Sequence, residues 1–125
     1  MPWRVSPTFI RRLAAAFGFL AVGLGAIGAH LLKGLLLSNG FEPYWQKAVL
    51  YHLAHSVVLL ALSARPRASV VSVVAFSLGM LLFSGSLYLY SIWQIRWLMF
   101  LTPFGGVALM VGWGCLLFSR ADPER

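Results

Sequence analysis

Apolar residues do not alternate with polar ones along this chain. They come in four long blocks, and the polar residues gather between them. The blocks run from Phe9 to Leu32, Tyr44 to Ser63, Ser69 to Ser91 and Ile95 to Ser119. Each is about 20 residues or more, the length at which a helix crosses a hydrocarbon core of roughly 30 Å. In lipid, backbone N–H and C=O groups have no water to pair with, so such segments satisfy them internally as α-helices. The blocks predict an all-α polytopic membrane protein: a single integral membrane domain over residues 1–125, built as a compact antiparallel bundle of four transmembrane helices.

The connections constrain how those helices turn back. Lys33 to Pro43 carries Ser38-Asn39-Gly40 and Glu42-Pro43, both turn or helix-start signals, and is expected to be the one long loop. Ala64-Arg65-Pro66-Arg67 is short and forces the second and third helices into an antiparallel hairpin. A second tight turn is expected at Trp93, Gln94 and Arg96. Tyr88, Tyr90, Trp93 and Trp97 surround it, as aromatic side chains do at a lipid–water boundary.

Composition agrees with the pattern. Of 125 residues, 60% are apolar and 10% charged, with a mean hydropathy of +0.83, far outside the range of water-soluble domains. A net charge of +7 would suggest nucleic acid as the partner of a soluble chain. Here the basic residues flank the blocks, so the lipid bilayer is the expected partner and nucleic acid is not. Four spans place Arg4, Arg11, Arg12, Arg65, Arg67, Arg120 and Arg125 on one side and Lys33, Lys47 and Arg96 on the other. The positive-inside rule then puts both termini in the cytoplasm; Asp122 and Glu124 share that side but weigh little in the rule. The arginine-rich start followed by an apolar run superficially resembles a targeting peptide. Leu13 to Leu32 is too long for a signal h-region and lacks a clear A-x-A cleavage site, so a retained first helix is expected. The single Cys115 leaves no intramolecular disulfide to form.

Placing the polar residues by depth, at about 1.5 Å of rise per residue, gathers them in the non-cytoplasmic half of the membrane. His30 ends the first helix there. His52 and His55 share one face of the second helix, Ser84, Ser86 and Tyr88 approach from the third, and Thr102 begins the fourth. Polar groups in lipid are costly, face the interior and mark candidate functional sites, so His30, His52, His55, Ser84, Ser86, Tyr88 and Thr102 form a candidate polar belt. Pro103 removes a backbone donor near the start of the fourth helix, and Gly105-Gly106 leaves the backbone open to close approach. The histidines admit metal binding, bis-histidine haem ligation, or proton relay and quinone contact. Plain interhelical hydrogen bonding is the default reading ahead of these, and no metal or cofactor is assigned.

Small residues mark helix packing. Ala14, Gly18, Ala21, Gly25 and Gly28 fall on one face of the first helix. Gly105, Ala108 and Gly112, with Gly106 beside them, make a comparable stripe on the fourth. Such stripes serve intramolecular packing, a homo-oligomer or a membrane-complex partner. No P-loop, HExxH or Ser-His-Asp spacing occurs, and Glu42, Asp122 and Glu124 lie in a loop or tail, so no catalytic residue is proposed and an enzyme is not expected. Transport has no intramembrane acidic residue or internal repeat to support it.

The strings Gly25-Ala26-Ile27-Gly28-Ala29-His30, Tyr51-His52-Leu53-Ala54-His55, Leu82-Phe83-Ser84-Gly85-Ser86-Leu87-Tyr88, Thr102-Pro103-Phe104-Gly105-Gly106 and Gly112-Trp113 follow one another in this order. Together they resemble the domain of unknown function 423 family, whose eukaryotic relatives are called transmembrane protein 256. The resemblance implies a compact four-helix protein of the bacterial inner membrane with no established activity, substrate or cofactor. It puts His30 and His55 at motif positions, whereas the position of His52 is often Gln in bacterial relatives. Two functions remain open: a non-enzymatic accessory or structural membrane protein, and a redox-associated module handling haem, quinone or metal through the outer-half histidines.

Overall fold

A computed structural model describes residues 4–66 and 68–119. Arg67, Arg120, Asp122, Glu124 and Arg125, which enter the charge argument, lie outside the described residues. The fold is all-α: α1 (Pro7–Ala29), α2 (Lys33–Asn39), α3 (Glu42–Leu62), α4 (Val70–Trp93), a 3₁₀ turn (Arg96–Phe100) and α5 (Leu101–Leu117).

Local chemistry sets the helix ends. Ser6 caps α1 by accepting from the Phe9 N–H at 3.1 Å, with Pro7 at the first helical position, where its missing donor costs nothing. Ser69 caps α4 in the same way through the Ser72 N–H. Glu42 and Pro43 open α3, the carboxylate lying at the positive end of the helix dipole. α4 stops where Gln94 turns left-handed at φ 56° and its N–H returns to the Tyr90 carbonyl. The stretch read as a long loop, Lys33 to Pro43, holds the seven-residue α2 instead. Its turn signals mark the end of that helix: Gly40 supplies the left-handed residue at φ 78°, and Asn39 accepts from the Phe41 N–H.

Among the described residues, three segments are long and apolar enough to cross a membrane: α1, α4 and the stretch from Arg96 to Leu117. Four spans were expected. α3, about 31 Å long at its 21 residues, has the length, but Glu42, Gln46, Lys47, His52 and His55 lower its apolarity.

α1 packs on α3, α3 on α4 and α4 on α5, with α1 and α5 as the outer members of the row. All three pairs are antiparallel. On α4 and α5, Phe76 meets Gly112, Gly79 meets Leu109, Phe83 meets Gly105 and Ser86 meets Thr102. These positions recur at steps of three and four, the spacing of an interdigitating helix seam. Gly18, Gly25 and Gly28 of α1 likewise face Ser56, Val49 and Trp45 of α3. At one end, Arg4 bridges to Ser69 and the Val5 N–H reaches the Ala68 carbonyl, so the start of α1 lies beside the start of α4.

The outside is more apolar than a soluble protein tolerates. Phe19 is 81% exposed, Met110 72% and Phe104 68%, while His52, His55, Ser56, Ser84, Ser86 and Ser91 are buried. Large apolar side chains outward and small or polar ones inward suit lipid as the solvent.

Candidate functional site

The candidate belt resolves into pairs, each joining two helices. His55 donates from Nδ1 to the Tyr51 carbonyl one turn earlier on α3, at 2.7 Å. A carbonyl can only accept, so this bond fixes the Nδ1–H tautomer and leaves Nε2 as an acceptor. The indole N–H of Trp113 on α5, a donor only, fills that position at 3.1 Å. Both nitrogens of His55 are therefore occupied. Its ring lies among those of Tyr51, Phe76 and Trp113.

His52, one turn away, pairs its Nδ1 with the Tyr88 hydroxyl of α4 at 3.0 Å. The Phe17 ring meets the imidazole edge to face. Ser84 donates to the Ala48 carbonyl of α3 at 2.8 Å, and Ser86 shares a 2.6 Å bond with Thr102 of α5. Ser56 and Ser91 return to carbonyls of their own helices. Interhelical bonds of this kind average about 0.6 kcal/mol within membranes and reach about 1.7 kcal/mol.

His30 does not join them. α1 ends at Ala29, and at φ −123° and ψ −71° His30 leaves the helix with its side chain exposed. It has no side-chain partner among the described residues. Nor does any group of three or more His, Cys, Asp or Glu side chains fit for a metal ion occur among them. The seven belt residues thus form four separate interhelical contacts and one exposed imidazole.

The small residues divide as well. A Cβ on Gly28 would strike the indole of Trp45, which uses the gap to donate its N–H to the Leu24 carbonyl at 2.9 Å. A Cβ on Gly105 would strike the backbone of Phe83. Gly112 faces the Phe76 ring and Gly25 faces Val49, whereas Gly18 and Gly106 have only ordinary contacts.

Several structural residues escape a reading by residue type. Gly79 packs as tightly on Leu109 as Gly112 does on Phe76, and the signal available was its spacing of four from Ala75. Trp45 and Trp113 each donate across a helix interface. Asn39 donates to the Ser91 carbonyl at 3.0 Å, tying the end of α2 to α4.

Comparison with known proteins gives this architecture a family. The model of the family described as "Protein of unknown function (DUF423)" matches residues 24–106, which hold the tightly packed Gly28, both buried histidines and the α4–α5 seam up to Gly105. The chain belongs to this family. Among its relatives, UPF0382 membrane protein SH2409 of Staphylococcus haemolyticus is 37% identical over 86% of this chain and 90% of its own length. UPF0382 membrane protein YwdK of Bacillus subtilis is 40% identical over 81% and 86%. UPF0382 inner membrane protein YgdD of Escherichia coli is 36% identical over 94% and 92%. No solved structure matches. With its apolar exterior and apolar helices, this DUF423 member is a membrane protein.

Proposed function

We propose that this protein is a non-enzymatic accessory or structural component of a bacterial inner membrane, spanning it four times with both termini in the cytoplasm. The observation that carries the reading is the engagement of the buried histidines: His55 is hydrogen-bonded to Tyr51 and Trp113, and His52 is hydrogen-bonded to Tyr88 with the Phe17 ring packed against it. Groups held this way act as interhelical ties, and a ligand would have to break them before it could bind.

The bridge between Arg4 and Ser69 supports the fourth span. If α1 crosses the membrane, the chain must cross back to bring Ser69 beside Arg4, and α3 is the segment that makes the return. The buried polar groups of α3, His52, His55 and Ser56, lie inside the bundle while Leu50 and Val57 point outward, and Glu42, Gln46 and Lys47 gather at its first turns, which lets a helix of lower apolarity lie in lipid. The name of the E. coli relative and the arginines at the Arg4 end support the inner membrane and the cytoplasmic termini.

Native mass spectrometry of the protein gently extracted from its own membrane tests the function. Partner subunits at fixed stoichiometry, or a homo-oligomer free of any constant non-lipid mass, support it. A constant mass matching haem, a quinone or a metal ion, lost with His55→Ala, overturns it in favour of a cofactor-handling module.

A further inference from the structure

Apart from the histidine pairs, a groove of about 510 Å³ runs between the end of α1, α2 and the first half of α3, within the usual size range of small-molecule sites. Its two ends differ in chemistry. Lys33, Glu42 and Gln46 stand at the mouth, and Val49, Leu50 and Leu53 line the far part. The apolar span of α1 ends at Ala29, so the mouth lies where that span leaves the hydrocarbon. Val49 to Leu53 follow α3 back into it by about 10 to 16 Å. The groove is therefore long, apolar within the membrane and charged at its surface.

The charges at the mouth are opposite and not joined to each other. The Lys33 ammonium has no partner among the described residues. One oxygen of Glu42 accepts from Gln46 at 2.7 Å, which orients the carboxylate and leaves its second oxygen open. A cation and an anion held apart at the head of an apolar groove complement a zwitterion carrying an acyl chain.

We infer that this groove binds one amine-headed zwitterionic phospholipid, of the phosphatidylethanolamine class. Its phosphate meets Lys33, its ammonium donates to Glu42, and an acyl chain lies along Val49, Leu50 and Leu53. A phosphatidylglycerol headgroup would bring neutral glycerol hydroxyls to Glu42 in place of an ammonium, so the contact there would lose its opposite charge. A choline headgroup has no N–H to donate.

The test uses the full chain, delipidated in detergent and offered equal amounts of phosphatidylethanolamine, phosphatidylglycerol and phosphatidylcholine in mixed micelles, with retained lipid read by native mass spectrometry. One phosphatidylethanolamine per chain is expected. Glu42→Gln should lower its preference over phosphatidylglycerol about tenfold, the scale of a charge-assisted hydrogen bond. Leu50→Trp, on the exposed side of the groove, should abolish retention while circular dichroism stays unchanged, and Leu53→Trp provides a second plug if the first disturbs folding. Equal retention of the three lipids, no retention, or a Glu42→Gln variant with unaltered preference overturns the assignment.

Discussion

Gly105 and Gly106 are neighbours on one helix, and the packing of α4 on α5 predicts opposite responses to the same substitution. A Cβ at Gly105 would come within 2.7 Å of the Phe83 Cα and 2.8 Å of the Leu82 carbonyl carbon, closer than real Cβ atoms pack. Backbone cannot rotate aside as a side chain can, so α4 and α5 must separate. Overpacking of this kind costs about 1–3 kcal/mol, and an unyielding neighbour puts it in the upper half of that range. Against it stands the gain from replacing a mid-helix glycine with alanine, about 0.8–1 kcal/mol. Gly105→Ala should therefore destabilise by about 1–2 kcal/mol net. At Gly106 the nearest atom is the Phe83 Cδ2 at 3.8 Å, an ordinary contact. Gly106→Ala keeps the helix gain and should leave stability unchanged or raise it by up to about 1 kcal/mol. The assay is reversible unfolding in detergent followed by circular dichroism, with both variants and the parent side by side. Equal shifts for the two alanines would refute the argument, because only the geometry of the seam distinguishes the sites.

The other expectations concern the histidine ties, the α1–α3 contact and the topology. A double-mutant cycle on Trp113→Phe and His55→Ala should give a coupling of about 0.6 to 1.7 kcal/mol, and zero coupling would mean that the indole N–H contributes nothing to holding His55. Gly28→Ala should expel the Trp45 indole from the Leu24 carbonyl, costing about 1–3 kcal/mol and shifting tryptophan emission; an unaltered spectrum and unfolding curve would contradict the close approach. In a Cys115→Ser background, Ser38→Cys should react with a membrane-impermeant thiol reagent from outside intact cells while Ala64→Cys should not; labelling of both would rule out the four-span arrangement, and the reverse pattern would overturn the cytoplasmic termini.

Much of the helix layout is legible in the sequence because lipid makes length and apolarity sufficient grounds for a helix. The predicted block from Phe9 to Leu32 overlaps α1, and the block from Ser69 to Ser91 overlaps α4, to within a few residues. α2 is not legible: at seven residues it is too short for periodicity to register, and Ser38-Asn39-Gly40 signals a chain reversal whether a helix or a loop precedes it. Depth along the membrane is also readable, since rise per residue is nearly constant. Facing is not, and His30 illustrates the difference: it has the expected level, but the chain has already left the helix there and turned the imidazole outward. The partners of His52 and His55 lie 36 and 58 residues ahead in the chain, so their pairing depends on tertiary register that no local pattern encodes.

Those separations bear on how the protein is made. When α3 is synthesised, the Phe17 ring of α1 is already present to meet His52. Tyr88 and Trp113 have yet to be translated. Until they arrive, α3 carries polar groups that lipid penalises, whereas α1 and α4 are apolar enough to settle on their own. The interhelical ties of the middle helix can therefore form only once the later helices have been made. Of these ties, the bond from Trp113 to His55 is the last that translation makes available.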